Sequence, residues 1–223
     1  MSVSRNVDAL LKLLAWMSPA FPVGAFSYSG GLESVVNDRR LSRASELHDW
    51  ISLLLRRGAL WNDAVLLAQA WRCHADGEEL AELCELGRAL AGSAERYRET
   101  VLLGDAFLAA ATAWPQEVLS RLSKETPYPV AVGAVASAHG VGIEDTLAAY
   151  LHSGVSQFVS AGIRLGISGQ KDGVTILANL ETEIAGVAAR AAASTLAELG
   201  SATILADTAS MRHEIQETRL FRS

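Results

Sequence analysis

Apolar residues return at three- and four-residue intervals through almost the whole of this sequence, and strict apolar/polar alternation is nearly absent. That spacing gathers side chains on one stripe of a helix, whereas a half-buried strand needs a period of two. The chain therefore reads as all-α, a single compact multi-helix domain. Leu10, Leu11, Leu14 and Met17 form a first stripe; Leu47, Trp50, Ile51, Leu54 and Leu55 form a second, with Ser42 and Ser45 ahead of it as N-cap candidates. A third pattern runs from Leu60 to about Cys73. Asp76-Gly77-Glu78-Glu79 then offers a cap and first-turn acids to a helix carrying Leu80, Leu83, Cys84 and Leu90. Ser93 caps the next, expected to reach about Trp114, where Pro115 stops it.

A short helix is expected over 117–122, and Pro127 and Pro129 precede an Ala/Gly/Val-rich helix that Gly140 can end. Residues 143–165 read as one long helix. Its small residues, Ser153, Gly154, Ser160 and Gly162 among them, suit a buried or subunit-facing position. Beyond the loop 166–169 a further helical pattern reaches about Leu199, with a break expected near Gly186. Val174-Thr175-Ile176 is a β-branched run without a partner run or hairpin turns. No repeat of about 34 or 40 residues recurs, which argues against a helical solenoid. Two parts are expected: a helical domain over 1–199 and a terminal tail over 200–223.

Charge and composition exclude several classes. Nineteen Lys plus Arg face twenty-five acids, a formal charge of −6, so no dense basic face is available for a nucleic-acid backbone. Cys73 and Cys84 form no C-x-x-C unit, and a reduced cytoplasmic setting fits them. Arg5, Asp8 and Lys12 interrupt the N-terminal apolar run, against a signal peptide. The uncharged stretch 127–143 falls short of the ~20 apolar residues of a membrane span, so no membrane association is expected.

The usual chemical motifs are incomplete. In "GIRLGISGQKDG" Lys171 follows Gln170 instead of Gly, and no strand leads in, so a phosphate loop is disfavoured. Around Ser168 the upstream Gly166 fits a nucleophile elbow, but Gln170 stands where the downstream glycine belongs. The histidines at 48, 74, 139, 152 and 213 include no i, i+4 pair, and adjacent Cys73 and His74 point about 100° apart on a helix. Asp49, Asp63, Glu144 and Asp145 read as solvated faces or helix starts. No catalytic residue, resident cofactor or metal site is expected.

What remains is two unusual segments. "SPAFPVGAFSYSGGLES", residues 18–34, is far longer and more aromatic than a connector between helices, which needs only about 2 to 8 residues. "MRHEIQETRLFRS", residues 211–223, places Leu220-Phe221 between arginines at a terminus, where chains fray and apolar groups are a liability. Such an end wants a partner; a dock onto the chain's own surface is the alternative. Glu33, next to a helix start, reads either as a helix-terminus charge or as a contact residue.

Ser18-Pro19, Pro22 to Ser29 and Gly31-Leu32-Glu33 resemble the opening signature of the UreF family of urease accessory proteins. Later blocks agree in the same order: Tyr128-Pro129-Val130 with Gly133; Arg164-Leu165 leading to Gly169-Gln170; Ser210 to Glu214; and Arg219 to Ser223. The third block departs from the family pattern, with Ile167-Ser168-Gly169-Gln170 where the family reads Pro-Leu-Gly-Gln.

The resemblance implies an all-α homodimer that joins UreD (also called UreH) and the GTPase UreG on apo-urease, in a complex that inserts nickel with GTP hydrolysis. Nickel is the cargo there, not a resident cofactor. It implies partner-binding roles for Phe26, Tyr28, Glu33, Arg164, Gln170 and Lys171. In the tail it implies them for Met211, Arg212, His213, Glu214, Arg219, Leu220, Phe221 and Arg222. An alternative makes the chain a GTPase-activating subunit, with Arg212 or Arg219 reaching UreG's phosphates. A remote one is a lyase or hydrolase using Tyr28, Glu33 or His213.

Overall fold

The computed structural model describes residues 7–223, so Arg5 lies outside the described residues. Among these residues the chain folds as α1 (Val7–Trp16), α2 (Leu32–Asn37), α3 (Ala44–Arg57), α4 (Ala59–Cys73), α5 (Gly77–Ala89), α6 (Ala94–Ala111), α7 (Tyr128–Ala138), α8 (Ile143–Arg164), α9 (Gln170–Ala193) and α10 (Ile204–His213). Short 3-10 turns cover Ala25–Ser27, Glu117–Ser120 and Leu196–Glu198, and no strand occurs among the described residues. No helix of the described residues is long and apolar enough to cross a membrane.

The centre is built from α4 and α7. α4 buries Leu60, Val65, Leu67 and Ala68 on different faces and is enclosed by α3, α5, α7, α8 and α9. Each fully buried Leu or Val of this kind contributes roughly 1.5–3 kcal/mol over its exposed state. α7 is buried from Pro129 to Ala136, a run of Val, Ala and Gly whose small volume lets the two helices approach backbone to backbone. Gly133 marks the closest point, where an added methyl would meet the Leu67 carbonyl oxygen. The small residues of α8 act within the chain in the same way: Gly154 faces Leu60 of α4, and Gly162 faces Leu47 of α3.

Several sequence expectations shift. On α1 the buried side is Leu13 and Trp16, while Leu10, Leu11 and Leu14 are more than half exposed. The reason is aromatic: Trp16 packs edge-on against Phe107 and Trp114, which turns the longer leucine stripe to solvent. Ser42 and Ser45 do not cap α3; Arg43 holds the cap position, and Glu46 reaches back to the Ser42 N–H at 2.8 Å. Asp76 and Ser93 do cap α5 and α6, through the Glu78, Glu79 and Arg96 amides. α6 ends at Ala111, short of Trp114, and the expected helix over 117–122 is a 3-10 turn. α9 runs unbroken through Gly186, which faces open space, where a glycine weakens a helix without ending it.

Gly133→Ala should lower stability by about 1–3 kcal/mol, because neither backbone can yield to the extra methyl. A urea unfolding curve reads this as a lower midpoint at unchanged slope; an unchanged midpoint would show that α4 and α7 have room to separate.

Candidate functional site

The opening loop and the tail meet. Ser29 N–H donates to the Ser223 carbonyl oxygen at 2.6 Å, and the Ser29 hydroxyl donates to the same oxygen. Arg222 N–H donates to the Ser27 carbonyl at 2.7 Å. Gly31, at φ 82°, makes the approach possible: a Cβ there would stand 2.7 Å from the Ser210 nitrogen of α10. The glycines and serines of the opening segment thus form a seat for the end of the chain.

Glu33 is the centre of that seat. It lies in the first turn of α2, yet its carboxylate points inward and is only 4% exposed. Oε1 accepts the Leu220 N–H at 2.7 Å, and Oε2 accepts the Phe221 N–H at 2.9 Å. Oε2 also lies 3.0 Å from Nε2 of His213, a ring with no solvent exposure, whose Nδ1 is 2.8 Å from Oε2 of Glu95. Arg219 donates to the other Glu95 oxygen at 2.9 Å. Two carboxylates are therefore answered by a guanidinium, an imidazole and two amides, the condition under which charge can remain buried. Around this cluster Ser93 and Ser210 share a hydrogen bond of 2.7 Å, and Glu214 accepts the Ala94 N–H at 2.8 Å. Phe221 closes the seat, with the Arg164 guanidinium carbon 4.1 Å from its ring centroid; Arg164 also donates to the Phe26 carbonyl.

The residues singled out from the sequence divide accordingly. Tyr28, Glu33, His213 and Phe221 are enclosed within the chain. Burial pushes the Tyr28 phenol up, with Arg222 opposing. Arg164, Glu214, Arg219 and Arg222 brace the junction, while Arg212 pairs with Asp38 at 3.1 Å. Phe26, Met211 and Leu220 face outward. Gln170 and Lys171 sit apart, exposed on the first turn of α9.

Other polar residues were illegible in the sequence. Ser29 and Glu95 look like ordinary loop and first-turn residues. Asp63, read as solvated, is buried: Arg96 grips both its oxygens at 2.8 and 2.6 Å, and the Tyr150 hydroxyl donates at 2.9 Å. An acid directly before the apolar run 64–68 is the one signal that could have revealed it. With Glu99 this group lines a cavity of about 380 Å³ between the opening loop, α6 and α8. Burial raises the Glu99 carboxyl, with Arg96 opposing and Asp63 adding to the rise. Burial works against the Arg96 charge, but Asp63 and Glu99 more than offset it and hold the guanidinium above its usual range. Tyr150 is pushed well up by burial and then by Asp63.

Cys73 and His74 diverge as their spacing requires: the thiol is buried, and the ring Nδ1 lies 3.0 Å from the Ser137 hydroxyl. Among the described residues no three His, Cys, Asp or Glu side chains gather to hold a metal ion.

Fold and site together define an all-α protein whose polar chemistry is organised round a docked terminus. The UreF family model matches residues 41–181. Over all 223 residues of both chains, the sequence is 67% identical to the urease accessory protein UreF of Agrobacterium fabrum strain C58 and 60% identical to that of Rhizobium etli strain CFN 42. It is 54% identical to urease accessory protein UreF 1 of Brucella canis, over 96% of this chain and 94% of the relative. The chain belongs to the UreF family of urease accessory proteins. That family is non-catalytic, and its role is in urease maturation. The matched span contains neither the opening segment with Glu33 nor the tail, but the full-length relatives cover both.

Two outcomes are expected. Glu33→Ala strips two amides, His213 and the tail of their acceptor, so it should cost about 3–5 kcal/mol, as removal of one partner from a buried charge cluster does. Trypsin cleavage after Arg219 should accelerate in parallel; an unchanged digestion pattern and melting temperature would contradict the central role of Glu33. Burial, with Glu79 adding to it, raises the Cys73 thiol to about 11. At pH 8 about one Cys73 thiol in a thousand is then ionised, so iodoacetamide should label it only after unfolding or towards strongly alkaline pH. Prompt labelling of the native protein would contradict the burial.

Proposed function

We propose that this chain is the adaptor that bridges UreD (UreH) and the GTPase UreG on apo-urease during GTP-dependent nickel insertion, acting as a cytoplasmic homodimeric chaperone with nickel as cargo. The observation that carries the reading is the surface raised by the seated tail. Phe26 is 70% exposed beside the junction that Arg164 and Ser27 make with the terminus, and Leu220 and Met211 are more than half exposed on the tail. Large apolar side chains so placed, rimmed by Arg212 and Arg222, are the chemistry of a protein-docking surface. UreD is its occupant on this reading.

The polar groups of the tail support an adaptor more than a catalyst. Arg219 is engaged within the chain by the buried Glu95, whereas Arg212 makes an exposed pair with Asp38. Glu33 and His213 satisfy each other and the tail amides, out of reach of a substrate.

Co-expression with UreD and UreG tests the proposal. A version ending at Leu199, which lacks α10 as well as the tail, should recover much less UreD than the full chain does, with circular dichroism confirming that the remaining helices are folded. Equal recovery of UreD by both versions would overturn the docking surface.

A further inference from the structure

The cavity of about 380 Å³ between the opening loop, α6 and α8 joins an aromatic wall to an uneven set of charges. Trp16, Phe21, Phe26, Tyr128, Tyr150 and Phe158 line it. So do three carboxylates, Asp63, Glu99 and Asp207, while Arg96 is the one arginine or lysine among the described lining residues and His152 stands at the exposed rim. Arg96 is committed to Asp63, whose two oxygens lie 2.8 and 2.6 Å from its Nη2, and the Tyr150 hydroxyl donates to the same carboxylate at 2.9 Å. Asp207 accepts from the Ser201 hydroxyl at 3.3 Å. Glu99 fares differently. It is only 5% exposed, yet Arg96 approaches it no closer than 3.4 Å, beyond the roughly 2.7–2.9 Å of a charge-assisted hydrogen bond. Gln157 also bonds it, but without charge. A buried carboxylate in that position wants either a proton or a further cation.

We propose that this cavity is a binding site for a small organic ammonium ion, its N–H groups donating to Glu99 and its hydrocarbon body lying against the aromatic wall. The class of ligand follows from the chemistry of the lining. An ammonium group brings donors to an acceptor-only carboxylate, and ring faces attract a cation within about 6 Å while covering the carbon attached to it. A carboxylate or phosphate would meet Glu99 and Asp207 with like charge. A divalent metal ion takes several oxygen, nitrogen or sulfur ligands, but Asp63 is already spent on Arg96 and much of the remaining wall is aromatic carbon. The volume falls in the range of about 300–1,000 Å³ usual for small-ligand pockets. Access is open, since Pro19, Phe26 and Ser160 are at once lining residues and exposed. The site stands independently of the adaptor reading.

Calorimetric titration of the full chain tests it, with phenethylammonium as the probe and phenethyl alcohol as its neutral counterpart. At about pH 8 an alkylammonium, like that of lysine, is charged. The ammonium should bind saturably at one site per chain and at least about tenfold more tightly than the alcohol, as a hydrogen bond to a charged group requires. In NMR spectra the Trp16 indole N–H should shift on binding. The Trp71 indole, which donates to the Val141 carbonyl at 2.8 Å and does not line the cavity, should stay in place. Glu99→Gln keeps the shape and removes the charge, so it should bring the ammonium down to the affinity of the alcohol. Equal binding of the two probes by the unaltered chain, or no saturable binding of the ammonium up to about 10 mM, overturns the site whether or not the variant folds. A folded E99Q chain with undiminished affinity overturns it too, as does a shift at Trp71 with none at Trp16.

Discussion

A carboxylate enclosed by protein must be answered by donors, and Glu33 is answered almost wholly by residues some one hundred and eighty positions away: the His213 ring and the Leu220 and Phe221 amides. This requirement ties the two ends of the chain together. It explains the composition of the opening segment, where Ser29 supplies donors for Ser223 and Gly31 removes the side chain that would block α10. It also explains how a terminus bearing Leu220 and Phe221 can be ordered at all: one aromatic ring is buried and capped by Arg164, and the backbone hydrogen bonds of the tail are made to the body.

The frame beneath that seat comes from packing. α4 and α7 approach so closely at Gly133 and Leu67 that the helices round them have fixed positions to lean on. α6 packs against α7, and this brings Glu95 and Arg96 in from one helix start, Glu95 towards the tail and Arg96 towards Asp63. One turn of α6 thus serves two buried charge clusters. Neighbouring sites built in this way share their stability, since a shift of α6 would strain both.

Much of the fold was legible because helices announce themselves locally. The 3.6-residue spacing, the caps at Asp76 and Ser93 and the stop at Gly140 act within a few residues of the feature they determine. Where the reading slipped, a distant contact had decided. The leucines of α1 form the more obvious stripe, but Trp16 found Phe107 and Trp114, and the aromatic side won. Asp63 looked solvated because nothing in its neighbourhood of sequence supplies Arg96 or Tyr150.

The same distinction divides the site. By itself the sequence determined an all-α chain, the unusual character of residues 18–34 and 211–223, and, through the order of its motifs, the family. Only the tertiary structure decided that those two segments bind each other, that Glu33 faces inward, and that Ser29 and Glu95 belong with His213. The reason is physical: helical periodicity is set by bonds between residues four apart, whereas the partner of a buried charge is chosen by which surfaces meet once the helices have packed.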